Sequence, residues 1–270
     1  MKDIYFTLII PTFNRPEQLT RCLQSLLDQT YANWQAIVVN DGSSSSYEIL
    51  EKFWQDNRIS YIHLENNLGV NHARNHALTK IKTKQNNYIC FIDDDEHFIK
   101  SALEIAYNII NENYYKWLVL QCFLNNNKTT YMSKNSYLDY IDDYLYGKNL
   151  KKDATHFIRA DIASQAYFSR FVKNGEEWIY FSEIARHTKF WASSIPVKYN
   201  IHQEGGLFLS NMHGKSLIKP YLMKWYRPYV AWTLRPYNLK ALKALLIQTI
   251  KLPFRSLQIL YRLILNSIFN

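Results

Sequence analysis

The chain has 270 residues, 47% of them apolar, and a formal net charge of +9. That size fits one large domain, or one domain plus an appendage, with enough apolar content for a core. Cys22, Cys90 and Cys122 lack metal-ligand spacing and each sits in or beside an apolar segment, so buried thiols in a reducing compartment are expected. No apolar run reaches the roughly 18 residues needed to span a bilayer, and because the first residues read as a strand, no signal peptide is expected.

Tyr5 to Ile10 reads as a buried strand stopping at Pro11. Pro16 to Thr30 reads as a helix, with Pro16 at a first helical position and one apolar stripe from Leu19 to Leu27. Trp34 to Val39 is a second strand, ending in Asn40-Asp41-Gly42-Ser43. A helix is expected over Ser46 to Gln55 with Ile49, Leu50 and Phe53 inward, then a short strand over Ile59 to Leu64 and a helix over Val70 to Lys82. Tyr88 to Ile92 is a strand that runs into four acids, Asp93-Asp94-Asp95-Glu96; a helix over Ile99 to Asn111 and a strand over Trp117 to Phe123 follow.

This alternation predicts an α/β fold with a mostly parallel sheet, and ligands in such sheets bind beyond the carboxyl ends of the strands. Pro11-Thr12, Asn40-Asp41 and Asp93-Asp95 all fall at such ends. Four adjacent carboxylates repel one another. The simplest way to keep them ionised is a divalent cation with oxygen ligands, and Asp93 and Asp95 have the spacing to share one. Neither a G-x-G-x-x-G nor a Walker loop follows the first strand, so side chains and a metal are expected to hold any phosphates.

Four segments carry a resemblance: Leu8-Ile-Ile-Pro-Thr-Phe-Asn-Arg15, Val38-Val-Asn-Asp-Gly-Ser43, Asn67-Leu-Gly-Val-Asn-His-Ala-Arg-Asn75 and Phe91-Ile-Asp-Asp-Asp95. In order and spacing they resemble family 2 glycosyltransferases of the GT-A fold, and Asn174-Gly-Glu-Glu-Trp178 is a weaker match further on. The resemblance implies a nucleotide-binding set of Pro11, Thr12, Asn14, Arg15, Asp41, Arg74, Asp93 and Asp94. Asp41 would accept a hydrogen bond from the base, with Thr12 in the same pocket. Arg74 would approach the diphosphate or, alternatively, pair with the Asp93 loop. Asp95 and Asp93 would hold Mn2+ or Mg2+, with His202 as a further metal or phosphate ligand and His213 as its rival. Glu177 aligns with the catalytic base, where the more frequent residue is Asp, and Glu176 is the fallback; a structural role at a helix N-terminus is the alternative.

On this reading residues 1–215 form the GT-A domain, with 1–100 on the nucleotide-sugar side and 101–215 on the acceptor side. Residues 216–270 form a basic amphipathic tail. From Gly205 onward there are ten Lys or Arg and no acid. A helix over Asn238 to Lys251, a break at Pro253 and a second helix over Phe254 to Phe269 are expected. Basic helices with apolar faces suit an anionic membrane interface; packing on the catalytic domain is the alternative, and no nucleic-acid motif is present. The function implied is a metal-dependent inverting transferase. It would move a sugar from a nucleoside diphosphate, UDP above all, to a surface-polysaccharide, lipopolysaccharide or lipid-linked glycan. Its place would be cytoplasmic, peripheral on the inner face of the membrane. A catalytically weak nucleotide-sugar-binding or scaffolding subunit is the competing reading.

Overall fold

The computed structural model describes residues 3–84, 86–124, 128–129, 135–147, 153–200 and 219–268. Strands β1 (Tyr5–Thr12), β2 (Trp34–Asn40), β3 (Ile59–His63) and β4 (Asn87–Phe91) pair in parallel in the order β3-β2-β1-β4. Helices α1 (Pro16–Leu27), α2 (Glu51–Trp54) and α3 (Val70–Leu78) form the crossovers between them. The sheet then changes character. Strand β9 (Ala154–Arg159) enters antiparallel between β4 and β6 (Trp117–Leu124), and β10 (Phe190–Tyr199) runs parallel to β6 on its far side. The α/β architecture is as expected, but the parallel pairing belongs mainly to the first half. The short strands β5 (His97–Phe98), β7 (Lys128–Thr129) and β8 (Ser136–Leu138) complete the sheet among the described residues.

Alternation along the strands sends side chains to both faces. Ile9, Ile37 and Val39 join one apolar cluster with Ala73 and Ala77 of α3. Phe6, Leu8, Ile10 and Val38 join the other with Leu19 and Leu23 of α1 and Leu103 and Ala106 of α4 (Ala102–Asn113). Cys22, Cys90 and Cys122 are buried and free.

Two expectations need correction. The helix over Ser46 to Gln55 is a 3-10 turn, Glu48–Leu50, running into the single turn of α2. The tighter winding of that turn rotates Ile49 outward, where it is 56% exposed, while Leu50 and Phe53 stay buried. Pro253 does not break the tail. It lies inside α8 (Leu239–Ile268), which follows α7 (Lys219–Leu234). A proline removes one backbone hydrogen bond, and the helix-forming residues on either side carry the helix through it.

Part of the tail docks on the α/β body. Val230, Ala231 and Ala241 are buried in the same cluster as α3 and β9. Asp139 is 4% exposed, and its Oδ2 accepts from Nε and Nη2 of Arg235 at 3.0 and 2.6 Å. Its Oδ1 accepts from the amides of Ile141 and Asp142, the start of a π-helical turn over Tyr140–Leu145. Leu222, Tyr229, Tyr237, Leu239, Leu246 and Ile250 remain exposed. No helix among the described residues is long and apolar enough to cross a membrane.

Candidate active site

The carboxyl ends of β1, β2 and β4 open into a cleft of about 1020 Å³. Thr12, Asp41 and the acids after β4 form one wall; β9, the Tyr140–Leu145 turn and the start of α6 (Trp178–Ile184), which follows the single turn of α5 (Ala160–Ala163), form the other. Arg227 of α7 reaches the cleft as well.

The four acids alternate. The side chains of Asp93 and Asp95 are 48% and 20% exposed, whereas those of Asp94 and Glu96 are 6% and 7% exposed. The outer pair therefore faces the cleft, and the inner pair anchors the loop. Asp94 accepts from Thr12 Oγ1 at 2.8 Å and pairs with Arg15 at 3.3 Å, and burial pushes its pKa up to about 7. Arg15 also pairs with Asp95 at 3.0 Å. Burial, and then repulsion from Asp93, raise Asp95, and Arg15 offsets part of this. Glu96 Oε2 accepts from the Asp93 amide at 2.9 Å and from Lys198 Nζ of β10 at 2.6 Å. Burial raises Glu96; it disfavours the Lys198 ammonium too, but there the adjacent carboxylate prevails and holds the charge. For Asp93, burial opposes ionisation, but Arg74 and Lys198 outweigh it and hold the carboxyl low. Much of the neutralisation expected of a cation is thus supplied by three basic side chains.

Among the described residues no three His, Cys, Asp or Glu side chains converge as a complete metal cage. Asp93 and Asp95 offer an oxygen-only set of two carboxylates on the cleft side. That set fits a hard divalent cation whose remaining ligands are phosphate oxygens and water.

Helix α3 organises the rest. Each oxygen of Asp41 accepts a backbone amide, from Leu68 at 3.1 Å and from Gly69 at 2.7 Å. Gly69 has φ +99, and a Cβ there would lie 2.4 Å from the Lys173 carbonyl, so only glycine fits. Asn71 Nδ2 donates to the carbonyls of Ser169, Val172 and Gly175, and Asn75 exchanges two hydrogen bonds with the backbone of Phe168. These two asparagines hold the loop that delivers Glu176 and Glu177. Gly175 and Glu176 both have positive φ, 76 and 59, which turns the chain into α6. Glu176 accepts from the Trp178 indole. Arg74 is 5% exposed. Its Nη1 donates to Glu177 Oε1 at 3.0 Å and its Nη2 to Asp93 Oδ1 at 2.6 Å. One guanidinium thus joins the acidic loop to the candidate base.

Pro11, Thr12, Arg15, Asp41, Arg74, Asp93, Asp94, Asp95, Glu176 and Glu177 all line the cleft. Asn14 does not. It turns to the neighbouring loop, where its Oδ1 accepts from the amides of Ser44 and Ser45. His202 and His213 lie outside the described residues. The sequence reading missed Lys198, Asn71, Asn75 and His156. A lysine in the apolar run of β10 was a visible signal for Lys198. The asparagines lie within a recognised motif, but the sequence alone does not show which backbone groups they bind.

The profile of the family described as "Glycosyl transferase family 2" matches residues 7–173. Glycosyltransferase GlyA of Streptococcus pneumoniae is 39% identical over 112 residues, covering 41% of this chain and 16% of that protein. UDP-Glc:alpha-D-GlcNAc-diphosphoundecaprenol beta-1,3-glucosyltransferase WfgD of Escherichia coli is 33% identical over 115 residues, 42% of this chain and 44% of that protein. The chain therefore spans less than half the length of these relatives. The structure of S. aureus TarS 1-349 in complex with UDP-GlcNAc superposes with a TM-score of 0.75 at 20% identity, over 90% of this chain and 70% of that one, and shares its fold. With four motifs in order, this fold and a profile match over more than half its length, the chain belongs to glycosyl transferase family 2.

Proposed function

We propose that the chain is a metal-dependent inverting glycosyltransferase, transferring a sugar from a UDP-sugar to a surface-polysaccharide, lipopolysaccharide or lipid-linked glycan. The observation that carries this reading is Arg74, whose buried guanidinium binds Asp93 on the donor side and Glu177 on the acceptor side of one cleft. A planar guanidinium fork suits phosphate oxygens as well as carboxylates, so Arg74 is placed to exchange a carboxylate for the donor diphosphate and release Glu177. The acceptor hydroxyl oxygen then bonds to the anomeric carbon, the bond from that carbon to the diphosphate oxygen breaks with its electron pair on the diphosphate, and Glu177 takes the hydroxyl proton. Asp95 and Asp93 would hold Mn2+ or Mg2+, which when bound supplies charge neutralisation at the leaving diphosphate. Arg15 and Lys198 hold the acidic loop in shape. Thr12 and Asp41 line the end of the cleft proposed for base and ribose.

Two relatives support the substrate classes: WfgD is named for a UDP-sugar donor and a lipid diphosphate acceptor, and TarS was solved with UDP-GlcNAc. A place at the inner face of the membrane is supported by the tail, whose docked side leaves Leu222, Leu239, Leu246 and Ile250 exposed among lysines without acids.

The test is UDP release from a panel of UDP-sugars, with a lipid-extract acceptor, in Mn2+ and in EDTA, for the wild type and Glu177→Gln. Metal-dependent release from one sugar, lowered about 100-fold or more in the variant, is expected. Metal-dependent binding with no release overturns the transferase reading in favour of a nucleotide-sugar-binding subunit. The glutamate at position 177, where the family more often has aspartate, is the feature favouring that second reading.

A further inference from the structure

The wall opposite the acids contains a histidine that the proposed transfer does not use. His156 of β9 lines the cleft and stacks on Phe181 with ring centroids 4.2 Å apart. Its Nδ1 lies 3.1 Å from Nε1 of Trp117, a fully buried side chain. An indole nitrogen only donates, so Nδ1 must accept, and the ring proton sits on Nε2. Two features keep the ring neutral. Burial pulls its pKa down to about 3, and the nearby Lys198 ammonium pushes the same way. A neutral imidazole protonated at Nε2 is neither a base nor a ready metal ligand on that side. It is a fixed hydrogen-bond donor, and no acceptor for Nε2 occurs among the described residues.

Around it the wall is aromatic. Tyr140 lies 5.7 Å from Phe181 and 4.9 Å from Tyr144, and all three residues line the cleft, Tyr140 almost wholly buried. Flat apolar faces with a few fixed polar groups suit a ligand with an apolar face and hydroxyls at its edge. We infer that this wall is a sugar subsite in which His156 is a specificity-determining residue, donating from Nε2 to a hydroxyl oxygen of a bound sugar. Its ligand class rests on the transferase reading above. The sugar belongs either to the donor or to the acceptor, and the two are separable by kinetics.

The experiment uses the full chain and two variants. His156→Phe keeps the ring stack and removes both nitrogens. His156→Gln keeps an acceptor for Trp117 and a donor for the cleft. In turnover of UDP-glucose and UDP-N-acetylglucosamine, His156→Phe is expected to lower kcat/KM about tenfold with kcat little changed, and His156→Gln to recover most of it. A rise confined to the donor KM assigns the donor sugar; one confined to the acceptor KM assigns the acceptor. Unchanged KM values in a His156→Phe protein of wild-type Tm overturn the proposal. A second arm needs no turnover. In 15N-histidine NMR, His156 is expected to be protonated at Nε2 only, from about pH 5.5 to 8.5, and to shift when UDP-glucose, UDP-N-acetylglucosamine or methyl glucoside is added, but not with UDP alone. An imidazolium in that range, or no shift with any of these sugars, sinks the inference. Absence of turnover in the wild type, with the NMR response intact, sinks only the transferase reading.

Discussion

Along β1 and β4 the cleft is walled by charge. Arg15, Arg74 and Lys198 each hold one or two of the acids that follow β4. Along β9 and the Tyr140–Leu145 turn it is walled by rings, with one histidine held neutral among them. On the proposed reading the charged wall would take phosphates and a cation, whose recognition depends on compensated charge. The ring wall, on the inference above, would take a ligand whose recognition depends on shape and a few hydrogen bonds. The two are joined at Arg74–Glu177, where transfer would take place. Lys198 ties the two halves of the sheet together, since it belongs to β10 yet anchors the acidic loop after β4.

Lys198→Met gives the largest predicted effect on this division. It strands Glu96 as an unpaired buried carboxylate, at a cost of about 3–5 kcal/mol. Glu96→Gln in the same chain should recover a large part of that loss in denaturant unfolding. Additive losses would show that Lys198 does not act through Glu96 on the charged wall. Next is the clasp between tail and ring wall. Arg235→Ala leaves Asp139 buried with only its backbone partners and should cost about 2–3 kcal/mol by thermal unfolding. An unchanged Tm would mean that α7 is not held to the Tyr140–Leu145 turn by this pair.

The ring wall should also show in the pH dependence of stability. The folded pKa of His156, about 3, lies below the ordinary histidine value. Between the two values the unfolded chain binds a proton that the folded chain refuses. Stability is therefore full above about pH 6.5 and falls as pH drops toward 3, by at most about 1.4 kcal/mol per unit. His156→Phe should flatten that slope in urea titrations at several pH values, and an unaltered slope would place the effect on other groups. The smallest effect concerns the outer face of the tail. Lys243→Glu with Lys251→Glu should weaken sedimentation with anionic liposomes by roughly 1 kcal/mol per lysine, leaving Tm near wild type. Equal sedimentation would remove the membrane proposal. Deleting the tail would test it poorly, because Val230, Ala231 and Ala241 belong to the core.

Much of the charged wall was legible in the sequence because its residues are local. The acids are consecutive, and the motifs of β1, β2 and α3 sit at strand ends or helix starts that periodicity reveals. The alternation of Asp93 and Asp95 outward with Asp94 and Glu96 inward follows from a spacing of two. The place of Asn14 is not legible in the sequence, because a polar residue after a strand has the same signature whether it faces a ligand or, as here, the amides of Ser44 and Ser45. Ile49 was misplaced because periodicity assumes an α-helix, and a 3-10 turn advances by a different angle.

By itself, then, the amino-acid order determined the α/β class, the strand ends that meet at one rim, the acidic loop and the family. What the tertiary structure decided is which groups compensate which. Lys198 meets Glu96 across 102 positions, Arg74 meets Glu177 across 103, and Trp117 meets His156 across 39. A charge or a proton on a buried side chain is set by its nearest neighbours in space, through Coulomb interaction and hydrogen bonding over a few ångströms. Chain separation carries no information about those distances, so the tautomer of His156 and the clamp on the acids emerge only when the sheet is assembled.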